Sequence, residues 1–104
     1  MDSTPLPVVD VDGLWSAYTE EVAERLPRLE AAVLTLPADL RDVTRDAHTL
    51  GSSSFLVGAD HTAHAARAAE RALVEGDETV VPLLQALVAL LHETIRQGPG
   101  GVAP

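Results

Sequence analysis

Four histidines carry most of the chemistry this chain could perform, and one of them stands in an unusual setting. His48 lies in the stretch AHTLGSSSFLVGAD, Ala47 to Asp60, where an otherwise helical pattern places glycine and three serines directly after the ring. A neutral imidazole offers one N–H and one bare nitrogen, so it can act as a nucleophile, a proton carrier or a metal ligand. His61 and His64, in DHTAH, have a spacing that two ligands on adjacent helical turns would need. No third ligand is obviously placed beside them and both rings face mostly outward, so a metal site is not expected. His92 stands beside Leu91 in a later helical run, at the border of core and solvent.

The direction of His48 follows from helical periodicity. Leu40, Val43, Ala47, Leu50, Ser54 and Val57 recur at alternating spacings of three and four, one apolar stripe holding a single hydroxyl. At about 100° per residue, His48 lies roughly 130° from the centre of that stripe and should face water. Thr44, Gly51, Ser52 and Phe55 share its side. Gly51 and Ser52 are poor helix-interior residues. On this reading they leave the imidazole uncovered, and Phe55 offers an incoming partner an apolar foothold. On geometry alone the pattern also fits an ordinary surface histidine.

The elements that must hold this ring are helices. The chain has 104 residues, enough for one domain. It is 46% hydrophobic but only 3% aromatic, so its core is built from Leu, Val and Ala. Residues 1–9, with two prolines, read as an extended lead-in. Asp10 or Asp12 is expected to cap a first helix carrying Trp15, Tyr18, Val22, Leu26, Leu29 and Val33, which Pro27 should bend or restart. Pro37 is expected near the start of the second helix, which Gly58 should end. A third helix, from about Ala59 to Val74, turns Thr62, Ala65, Ala66, Ala69 and Leu73 inward. Gly76 stops it, and Asp77 or Thr79 starts a fourth helix, with Pro82 near its first turn and Leu84, Leu87, Val88, Leu91 and Ile95 buried. Residues 98–104 read as a disordered tail. The expected architecture is all-α, an antiparallel up-and-down four-helix bundle over residues 10–97.

Composition narrows the partners. A formal net charge of −9 argues against nucleic acid, which needs clustered cations. The absence of cysteine excludes disulfides and thiolate metal sites. No signal peptide and no membrane-spanning run is visible, so a cytoplasmic location is expected, with no membrane partner. No spare apolar stripe is visible either, so a monomer is expected.

At these residues the chain resembles the histidine-containing phosphotransfer (HPt) domain. That family's pattern is roughly His-x-Leu-Lys-Gly-Ser/Ala-Ser/Ala, three variable residues, then Gly-Ala/Leu. Here it reads His48, Thr49, Leu50, Gly51, Ser52, Ser53 and Ser54, then Gly58 and Ala59, preceded by Ala47. Two positions depart: Gly51 replaces the usual lysine and Ser52 the usual glycine. The resemblance implies a phosphocarrier rather than an enzyme. His48 would accept a phosphoryl group from a receiver-domain aspartate and pass it to another receiver, with hybrid histidine kinases and response regulators as partners. It needs no cofactor of its own, since magnesium belongs to the receiver. Some members hold the ring with a carboxylate or amide 22 residues on, which here is Glu70. Arg67 and Arg45 are candidates to replace the lysine's charge, and Gly51→Lys is expected to speed transfer. Glu70 also reads as a solvated helix glutamate and the arginines as surface residues. A degenerate module that docks receivers without transfer, and a metal-binding or structural bundle, are the alternative readings.

Overall fold

The computed structural model describes residues 13–99. The lead-in, the cap candidates Asp10 and Asp12, and most of the expected tail lie outside that range. Four helices make up the described chain: α1 (Leu14–Leu34), α2 (Arg41–Leu56), α3 (Asp60–Glu75) and α4 (Val80–Gln97). Each packs against the next, and α4 closes back on α1. The links between α2 and α3 and between α3 and α4 are short enough to force antiparallel neighbours. The result is an antiparallel four-helix bundle with no strand among the described residues.

Apolar periodicity explains which faces meet. Tyr18, Val22, Leu29 and Ala32 line the buried side of α1, and Val80, Leu84, Leu87 and Leu91 that of α4. α3 contributes mainly alanines: Ala63, Ala66, Ala69 and Ala72 are buried beside Thr62 and Leu73. Ala65, expected inward, is only half-buried. Such small side chains let α3 approach its neighbours closely.

Neither Pro27 nor Pro37 opens a helix. Pro27 does not restart α1, which runs unbroken through it. Both Pro27 and Ala23, whose carbonyl loses its donor, are exposed. Water therefore solvates the freed group, while the buried turns on either side hold the helix. Pro37 does not open α2; it sits in the link, and the helix begins at Arg41. Residues 34–39 are all exposed, so no earlier turn has an apolar face to bury. The Asp39 carboxylate instead accepts the Arg41 backbone N–H at 3.0 Å and its guanidinium as well. Those bonds hold the Asp39 carboxyl below its usual range.

The remaining boundaries follow local chemistry. Gly58 ends α2 with φ of 82°, a conformation that side chains disfavour, and the Ala59 N–H closes on the Ser54 carbonyl at 2.8 Å. At α4, Asp77 accepts the backbone N–H of Thr79 at 2.8 Å and its hydroxyl at 2.9 Å.

The core also holds polar pairs. Tyr18 and Ser54 share a hydrogen bond of 2.9 Å, and Thr62 and Thr94 one of 2.8 Å. No buried side-chain polar atom among the described residues lacks a partner.

Candidate functional site

Three anchors set the rotation of α2 about its axis. Val43, Ala47 and Leu50 are buried in the core, and the Ser54 hydroxyl bonds Tyr18 of α1. The third anchor is Asp46, fully buried, whose carboxylate accepts hydrogen bonds from Arg25 (2.9 Å) and Arg28 of α1. Bonds to Glu21 and then Asp46 push the Arg25 guanidinium further up. With α2 fixed in this way, His48 projects outward, its side chain 66% exposed.

The ring is held from the neighbouring helix. Nδ1 of His48 lies 2.9 Å from Oε2 of Glu70 on α3, whose side chain is 29% exposed. A carboxylate only accepts, so this contact places the hydrogen on Nδ1 and leaves the lone pair on Nε2. Nε2 has no protein partner among the described residues. Thr44, Arg45, Arg41 and Leu73 border a shallow, open groove beside the ring and Glu70.

The other residues expected around His48 take different positions. Ser52 and Phe55 are exposed, Phe55 by 61%. Thr44 is half-buried and donates its hydroxyl to the Leu40 carbonyl at 2.7 Å. Arg45 pairs with Asp42 at 3.3 Å. Arg67 places its guanidinium carbon 6.0 Å from the centre of the Phe55 ring. Gly51 is not part of an open surface. It is buried against α3, where an added Cβ would stand 3.3 Å from that of Ala66.

Gly51 and the overlooked Asp46 share one explanation. Each lies roughly 70° from the centre of the apolar stripe, on opposite flanks. The stripe marks the middle of the core, but α1 covers one flank and α3 the other. The signal for Asp46 was present as a carboxylate flanking the stripe and two arginines three residues apart on α1. The expectation that Gly51 lies bare beside the ring treated the stripe as the whole of the contact face.

The remaining histidines stand apart. His61 and His64 are exposed. No group of three or more metal-ligating side chains occurs among the described residues. His92 bonds Glu30 of α1 through Nε2 at 2.8 Å. No described helix is long and apolar enough to cross a membrane.

The described chain is thus a four-helix bundle that presents one imidazole from its second helix, held by a carboxylate of the third. The family model of the Hpt domain matches residues 13–98, and the chain belongs to that family. Its members are phosphotransfer modules of phosphorelay signalling, carriers rather than enzymes, whose partners are receiver domains. No curated protein and no solved structure matches the chain significantly.

Proposed function

We propose that this protein carries a phosphoryl group on Nε2 of His48, taking it from the aspartyl phosphate of one receiver domain and yielding it to another. The observation that supports this reading best is the exposed imidazole whose Nδ1 is held by Glu70. The Nε2 lone pair attacks phosphorus in line. As the N–P bond forms, the bond from phosphorus to the aspartyl oxygen breaks, and its electron pair leaves on the carboxylate. The ring keeps its Nδ1–H and becomes positively charged, and the Glu70 carboxylate faces that charge. Transfer of this kind rests on positioning and charge stabilisation, and the receiver contributes the magnesium and the acidic pocket. The return step reverses the same bond changes on a second receiver.

The test mixes the protein with a receiver bearing a labelled phosphoryl group. One acid-labile label should appear on the wild type, vanish in His48→Gln and persist in His92→Gln. The last variant is a stringent control, because His92 makes a carboxylate contact of similar length. Glu70→Ala should slow transfer about fivefold, equivalent to about 1 kcal/mol for a partly exposed charge-assisted bond. If a phosphorylated receiver binds but no label moves, the protein is a docking module and the reading fails.

A further inference from the structure

The lysine missing at position 51 has a structural counterpart on the neighbouring helix. An added Cβ at Gly51 would stand 3.7 Å from Cγ of Arg67. The stem of Arg67 therefore passes in van der Waals contact beside the place where a side chain of residue 51 would begin. Its guanidinium continues to Phe55, one turn further along. Residues 51 and 55 lie on the side of α2 that carries His48, and Arg67 stands on α3 one turn before Glu70, so its side chain starts one turn from the residue that holds the ring.

The charge on Arg67 is also uncommitted. The chain has seven basic residues, all arginines. Arg25, Arg28, Arg41, Arg45 and Arg96 each hold a carboxylate, which leaves Arg67 and Arg71 without an ion pair among the described residues, and of these two only Arg67 passes residue 51. Arg67 makes no ion pair among the described residues, only the contact with Phe55. An exposed cation–π contact is weak and exchangeable, whereas a guanidinium can give two charge-assisted hydrogen bonds to phosphoryl oxygens. Arg45, the other candidate, already faces Asp42.

We propose that Arg67, exchanging its contact with Phe55 for the phosphoryl oxygens, supplies from α3 the cation that supports the phosphoryl group on His48. This rests on the phosphocarrier reading above. It also reverses the expectation for Gly51→Lys. The new Cβ stands 3.3 Å from that of Ala66, and the lysine stem beyond it competes with Arg67 for the same strip of surface, so that substitution alone brings no acceleration.

Rapid-mixing transfer from a labelled receiver, over a range of receiver concentrations, tests the idea. Arg67→Met should lower the saturating rate about tenfold, equivalent to about 1.4 kcal/mol, while the receiver concentration for half-maximal rate stays within about twofold. Arg67→Lys, which keeps the charge, should retain most of the rate. Gly51→Lys combined with Arg67→Ala, which removes the Cγ that a residue-51 side chain would meet, should run faster than Arg67→Ala alone, because the cation returns to α2. Circular dichroism melts identify any variant that is not folded; should the double variant be unfolded, the contrast between Arg67→Met and Arg67→Lys decides. A wild-type rate in Arg67→Met, with His48 still labelled, overturns the proposal and leaves the carrier reading intact. So does a loss confined to receiver affinity, or equal losses in the Met and Lys variants. Absence of label on wild-type His48 overturns the carrier reading itself.

Discussion

Replacing Arg25 and Arg28 together by methionine would leave Asp46, its side chain only 1% exposed, as a bare carboxylate between α1 and α2. Methionine matches arginine in helix propensity, so α1 itself loses little. The cost is that of a stranded buried charge, about 3–5 kcal/mol. For a domain of this size that lowers Tm by roughly 12 °C or more. The reverse change, Asp46→Ala, removes the buried charge and leaves two arginines with access to water. It should therefore be milder, about 2 kcal/mol. Adding Asp46→Leu to the double arginine variant removes the stranded carboxylate and should regain most of the loss. Thermal melts and urea titrations followed by circular dichroism measure all three. A double variant melting within about 3 °C of wild type, or a triple variant no better than the double, would refute the reasoning. The order matters for function, because Asp46 lies two residues before His48 and helps fix the direction in which the ring points.

Two further outcomes follow from perturbed ionisable groups. Burial pushes the Tyr18 hydroxyl above its ordinary value, with the Ser54 hydrogen bond opposing part of the effect. The folded state thus keeps the proton that the unfolded chain gives up. Stability should be level below the unfolded value of about 10 and fall as pH rises from there toward the higher folded value. Tyr18 is the single tyrosine, so tyrosinate absorbance reads it alone. Coincident titrations in buffer and in urea would contradict this account. Asp77 is held below the usual carboxylate range, first by the Thr79 backbone N–H and then by its hydroxyl. Its contribution is present above about pH 4 and is lost as pH falls through the lower folded value. Asp77→Ala should therefore lower Tm at neutral pH, and the gap to wild type should close in acid; a gap independent of pH would exclude the Asp77–Thr79 bonds as its source.

Much of the architecture was legible in the chain because each helix carries its own apolar period. The stripe from Leu40 to Val57 placed α2 correctly and aimed His48 outward, since those directions depend only on residues of the same helix. Gly58 and Asp77 marked ends through local backbone chemistry. At the prolines the outcome depends on surroundings that the periodicity does not show. Pro27 was tolerated because its turn faces water, and Pro37 lay too far before the first apolar residue that could anchor a helix.

What the sequence determined alone was the number of helices, the inward side of each and the exposed place of His48, because a 3.6-residue repeat defines one direction per helix. What the tertiary structure decided was everything that depends on which helix stands on which flank. The contact of Glu70 with His48, the burial of Gly51 against Ala66, the locking of Asp46 by two arginines and the contacts of Arg67 beside Gly51 and Phe55 belong to that group. A periodic pattern identifies the core side of a helix, but only the packed bundle assigns its two neighbours.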